Sequence, residues 1–122
     1  MIYGFYSKFS CIYFIVINCL WYKNWLFEID KLADEKKINE TMRRLGLDPG
    51  DKRTIRKYSL GMIQKLAIAQ AIMESPDLLL LDEPTNALDE KSRKRFYEIV
   101  QDEIQRGTTL VIASHNREDL EA

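Results

Sequence analysis

The sequence predicts an α/β chain in which a helical region is followed by a parallel β-α-β unit. Three observations predict it. Leu78–Leu81 and Thr108–Ala113 are short apolar or β-branched runs bounded by chain breakers, the pattern of strands in a parallel sheet. Between them Phe96, Val100 and Ile104 recur at every fourth position, the spacing of one helix face. Ahead of them lie two further helix-forming segments, one of them closed by a glycine.

The elements follow in chain order. Ten of the thirteen aromatic residues fall within residues 1–27, where Lys8 and Lys23 are the only charges. Residues 11–17 are unbroken apolar, and the run extends loosely from Phe9 to Tyr22, about 14 residues, short of the roughly 20 that span a bilayer as a helix. Three readings stay open for it: a buried segment, a membrane-surface contact and a transmembrane helix. Cys11 and Cys19 lack nearby His or Cys partners and read as free apolar thiols. Asp34 to Leu45 has acids first and arginines last, which suits the helix dipole, and Ile38, Met42 and Leu45 share a face. Gly46 is a natural stop, and Leu47–Gly50 reads as a turn.

The basic stretch Lys52–Lys57 reads as a solvated face. Ser59 is placed to cap a helix running to about Glu74, with Met62, Leu66, Ala69 and Met73 on one stripe and Ile68 and Ile72 beside it. A helix this apolar is mostly buried. Gly61 in its first turn is costly in a helix and implies a close backbone approach. Ser75-Pro76-Asp77 breaks the chain before the strand at 78–81, and Asn86–Asp89 forms a loop. A polar helix then runs from about Asp89 to Arg106, and Gly107 ends it before the second strand. These shifts divide the chain into 1–30, aromatic-rich; 31–76, helical; and 77–122, β-α-β.

Composition excludes several classes. At 46% hydrophobic the chain is too apolar for wholesale disorder. Two cysteines make no disulfide framework. A net charge of −1 gives no electrostatic footprint for nucleic acid.

Chemistry concentrates where the two strands end, in Asp82-Glu83 and in Ser114-His115. Open parallel sheets bind ligands beyond the carboxyl ends of their strands, so adjacent strands would bring these groups together. Paired carboxylates there suit a divalent cation and a general base in separate roles, because successive side chains diverge. Solvated acids in a turn and a structural histidine are the plain alternatives. A hydrolase triad is disfavoured, since no Gly-x-Ser-x-Gly is present.

Tyr58-Ser59-Leu60-Gly61-Met62, then Gln64-Lys65, then Leu79 to Asp89 (LLLDEPTNALD), then Ser114-His115, taken together, resemble the ATP-binding cassette (ABC) ATPases in order and spacing over residues 58–115. The Ser-Leu-Gly-Met form resembles bacterial export and multidrug cassettes of the bacitracin- and lantibiotic-resistance type. The resemblance implies an incomplete P-loop NTPase fold of ABC type. It implies that Ser59 and Gly61 form the signature loop, meeting the γ-phosphate of ATP held by an opposite subunit. Asp82 would bind Mg²⁺ through water, Glu83 would polarise the attacking water, and His115 would touch the γ-phosphate. Asp89 would be the D-loop aspartate at the dimer contact. The implied partners are a transmembrane permease and a second ATPase subunit, with no nucleic acid, at the cytoplasmic face of the membrane.

The implied function is ATP binding and hydrolysis that powers export of a small molecule or peptide. The alternative is a catalytically inactive remnant that acts as a dimerisation or regulatory module. None of the five glycines, Gly4, Gly46, Gly50, Gly61 and Gly107, opens the phosphate-cradling Gly-x-x-x-x-Gly-Lys-Ser/Thr, and the Q-loop glutamine of the family is also absent. These 122 residues alone are therefore expected neither to bind ATP tightly nor to turn it over. Residues 11–29 depart from the charged amphipathic helix usual in the family.

Overall fold

A computed structural model describes residues 2–7, 10–15, 34–73 and 75–121. Strands β1 (Ile2–Ser7) and β2 (Ser10–Ile15) come first. Helix α1 (Glu35–Arg44), a 3₁₀ turn (Ile55–Lys57) and helix α2 (Leu60–Met73) follow. Strand β3 (Leu78–Asp82), helix α3 (Glu90–Gln105), strand β4 (Thr109–Ala113) and the short helix α4 (Arg117–Glu121) complete the order.

The four strands form one sheet in the order β1-β2-β3-β4. β1 and β2 pair antiparallel, whereas β2 runs parallel to β3, with Ile12 opposite Leu78 and Ile15 opposite Leu81. β3 runs parallel to β4, from Leu78 opposite Thr109 to Asp82 opposite Ala113. The β-α-β reading therefore holds. Of the three readings of the N-terminal apolar run, the segment packed against the rest of the chain is the one that Ser10–Ile15 matches, as an extended strand paired with β3. A continuous apolar run carries no period, so strand and buried helix look alike in it. Cys11 lies in β2, and Cys19 and the rest of the run to Tyr22 lie outside the described residues. No described helix is long and apolar enough to cross a membrane.

Local chemistry explains the helix limits. Asp34 caps α1 by accepting from the Lys36 N–H, and Gly46 leaves it at φ +75°. Ser59 caps α2, its hydroxyl accepting the Met62 N–H at 3.2 Å. Asp89 caps α3 through the Ser92 N–H, and Gly107 ends the turn after it at φ +98°. A left-handed residue just past a helix is where glycine is least costly.

The core lies between the sheet and helices α2 and α3. Leu79 and Leu81 of β3, Ala67, Ile68, Ala69, Ala71 and Ile72 of α2, and Phe96, Ile99 and Val100 of α3 form one cluster with Leu45 and Leu88. The opposite face of β3, Leu78 and Leu80, is half-buried, so the strand is not covered equally on both sides. The inward face of α3 also differs from expectation. Phe96 and Val100 are buried, but Ile104 is 45% exposed while Ile99 and Glu103 point in. The face runs through 96, 99, 100 and 103 because a helix advances 3.6 residues per turn, not four. Glu103 is tolerated inside because its carboxylate pairs with Arg106, and the Thr108 hydroxyl lies 3.4 Å from its other oxygen.

Candidate functional site

Parallel pairing of β3 with β4 brings their carboxyl ends side by side. Beyond Asp82 the pairing continues for one more bond, the Glu83 N–H donating to the Ala113 carbonyl at 2.8 Å. The chain then turns sharply, with Glu83 at φ +46°, a left-handed conformation that is uncommon for a residue with a side chain. This turn leaves the Glu83 carboxylate facing the end of β4. One of its oxygens accepts the His115 N–H at 2.9 Å, and the other lies 3.4 Å from the Ser114 hydroxyl. The His115 Nε2 is 3.7 Å from the same carboxylate, and its side chain is fully exposed. Glu83, Ser114 and His115 thus form one group, open to a ligand on the imidazole side. Asp82 sits beside them as the last residue of β3, partly exposed.

Ser59 and Gly61 stand elsewhere, at the start of α2. A Cβ on Gly61 would lie 2.7 Å from the carbonyl oxygen of Ala87. The close approach implied by this glycine is therefore made within the chain, to the loop between β3 and α3. Gln64, one turn further along, is 1% exposed and donates from Nε2 to the Pro84 carbonyl at 2.8 Å. Two contacts thus lock the first turns of α2 to the segment that follows Glu83. In front of α2, Arg53 is bound to the Asp51 carboxylate, lies 5.8 Å from the centre of the Tyr58 ring and reaches the Met62 sulfur at 3.8 Å. Lys52, Arg53, Arg56 and Lys57 are all exposed, as a solvated face requires, and these contacts tether Arg53 within it. Asp89 caps α3, and its hydrogen bond from Ser92 holds its carboxyl below the ordinary aspartate range.

A second polar group underlies the first. Asp119 of α4 is 4% exposed and receives three hydroxyls. Ser114 donates to Oδ2 at 2.6 Å, Tyr97 to Oδ1 at 2.7 Å, and Thr85 lies 2.8 and 3.0 Å from the two oxygens. Burial, and then the Asp119 carboxylate, push the Tyr97 phenol well above its ordinary range, which keeps it a donor. Sequence reasoning missed Thr85, Tyr97 and Asp119, for which no local signal exists. Gln64 did leave one: it is a polar residue inside an otherwise apolar helix. Among the described residues no three His, Cys, Asp or Glu side chains are grouped as a ready-made metal cage.

Several known proteins resemble this chain. The sequence profile of the family described as ABC transporter matches residues 12–86, more than half of the chain. The uncharacterized ABC transporter ATP-binding protein YybJ of Bacillus subtilis is 47% identical over 95 residues, 78% of this chain and 44% of YybJ. The lantibiotic transport ATP-binding protein SrtF of Streptococcus pyogenes is 40% identical over 89 residues, 73% of this chain and 39% of SrtF. The solved dimer of the ATP-binding cassette MJ0796, in a post-hydrolysis state with ADP and phosphate, superposes with a TM-score of 0.62 at 27% identity. That match covers 68% of this chain and 37% of the solved one. The chain thus spans less than half the length of each of these relatives.

Proposed function

The chain belongs to the ABC transporter family, and from that premise we propose that it supplies the γ-phosphate end of an ATP-hydrolysing cassette that powers export of a small molecule or peptide. The observation that carries this reading is the convergence of the Glu83 carboxylate and the exposed His115 at the ends of adjacent parallel strands. Phosphoryl transfer is mostly positioning and charge stabilisation, and this pair is already positioned by backbone hydrogen bonds.

In this reading Glu83 accepts the proton of an attacking water, and His115 donates a hydrogen bond to the γ-phosphate. Asp82 is the residue to hold Mg²⁺, which when bound neutralises phosphate charge. One partly exposed carboxylate fits that ion, because Mg²⁺ commonly binds through one or two carboxylates, waters and the phosphates of the substrate. The capped start of α2, with Ser59 and the N–H groups near Gly61, meets the phosphate of ATP bound by a second cassette. Asp89 stands near that same contact. Residues 31–76 and 77–122 act as the signature-bearing and catalytic parts, and 1–30 as a divergent leading part. A transmembrane permease at the cytoplasmic face of the membrane receives the motion. The phosphate cradle must come from residues other than these 122, which contain no Gly-x-x-x-x-Gly-Lys-Ser/Thr. That same lack favours a second reading, a non-catalytic module that occupies the cassette dimer surface.

The two separate experimentally. The chain alone is expected to show no ATP turnover. Fused behind the portion of YybJ that precedes the matched region, it is expected to hydrolyse ATP, and Glu83→Gln in the fusion to slow turnover by about 100-fold or more. A fusion that folds and binds ATP but hydrolyses none of it would reject the catalytic reading in favour of the second, and equal turnover with and without Glu83 would overturn the role given to Glu83.

A further inference from the structure

The carboxylate of Asp119 is buried under the catalytic pair and does not itself face the open side of the site. Burying a carboxylate is costly unless its oxygens are fully bonded. Here the bonds come from three hydroxyls on three separate parts of the chain: Thr85 after β3, Tyr97 on α3 and Ser114 after β4. The Ser114 link has a direction. Its hydroxyl owns one proton, and the oxygen stands 2.6 Å from Asp119 but 3.4 Å from Glu83. The proton therefore goes to Asp119, and the Ser114 oxygen is left to accept the Asn116 N–H at 3.0 Å. With Ser114 held from below, the next residue, His115, points its N–H at the Glu83 carboxylate. The turn that carries the imidazole is thus pinned at both ends, by Asp119 beneath and Glu83 beside.

We infer that Asp119 is a positioning residue: acting through the Ser114 hydroxyl, it holds the 114–116 turn so that His115 and Glu83 stay in register as one unit. The functional meaning of that unit rests on the reading of Glu83 and His115 given above; the mechanical linkage does not. Amide hydrogen exchange, followed by NMR on the full 122-residue chain without nucleotide, tests the linkage directly. In Asp119→Asn the His115 and Asn116 amides should exchange about tenfold faster or more, while those of Ile99 and Val100 in α3 change by less than about twofold. Ser114→Ala should reproduce this selective loss, and Ser114→Thr, which keeps a hydroxyl, should restore protection. Tyr97→Phe removes a different bond to the same carboxylate and should leave His115 protected.

A uniform acceleration across α3 and the 114–116 turn would show Asp119 to be a general stabiliser and overturn the inference. So would an unchanged His115 amide in Ser114→Ala, or a Tyr97→Phe variant that matches Asp119→Asn. If Asp119→Asn does not fold, the Ser114 variants decide alone. Because no nucleotide is involved, a failed ATPase assay and a failed exchange experiment are distinguishable.

Discussion

At Gly61 a single methyl group would meet the Ala87 carbonyl oxygen at 2.7 Å, and that oxygen is backbone, unable to swing aside. Alanine normally favours a helix over glycine by about 1 kcal/mol. Here Gly61→Ala is expected to destabilise instead, by about 1–3 kcal/mol, the range for forced overpacking. Urea unfolding of the two proteins checks the sign. Gln64 tests the neighbouring lock. Gln64→Leu preserves bulk but strands the buried Pro84 carbonyl, which should cost about 1–3 kcal/mol. Asp89 adds a pH signature. Its folded-state carboxyl titrates below the ordinary aspartate range because the Ser92 side chain, and then the Ser92 N–H, bond the charged form. The cap therefore contributes its full stability above the ordinary range and loses it as pH falls through the depressed value. Thermal midpoints of wild type and Asp89→Ala should differ at neutral pH and converge in strong acid.

Among the elements, α3 shows how a face is chosen. Phe96→Ala should cost about 3–5 kcal/mol, since its ring is fully buried. Ile104→Ala should change stability by less than about 0.5 kcal/mol, because that side chain is 45% exposed. Denaturant midpoints of the pair test the observed face against the every-fourth-residue pattern. The helix limits were legible in the sequence because their causes are local: Asp34, Ser59 and Asp89 bond amides two or three residues on, and Gly46 and Gly107 take left-handed angles. The strand pair and the convergence of Glu83 with His115 were legible because breakers bracket both apolar runs. The strand at Ser10–Ile15 was not, since an unbroken apolar run has no period to read. Nor was the Asp119 cluster, whose hydroxyls come from 34, 22 and 5 residues away and meet only after α3 and both strands have packed.

For the molecule as a whole, β4 is where the described sheet stops. Within it β4 pairs with β3 alone, and Val111 on it is 53% exposed. An edge strand with an apolar face is a template for pairing with other chains. Val111→Lys is expected to reduce self-association of the chain, measured by light scattering against concentration, with little change in its unfolding midpoint. The left-handed turn at Glu83 has a different reach. A side chain held at φ +46° carries about 1–2 kcal/mol of backbone strain, which glycine would escape and asparagine would bear more easily. Either replacement removes the carboxylate placed against His115. Selection of variants for heat resistance alone would thus drift toward Gly or Asn at this position, at the expense of that carboxylate. A thermostability screen therefore needs an ATPase counter-screen at residue 83, run on the YybJ fusion, from its first round.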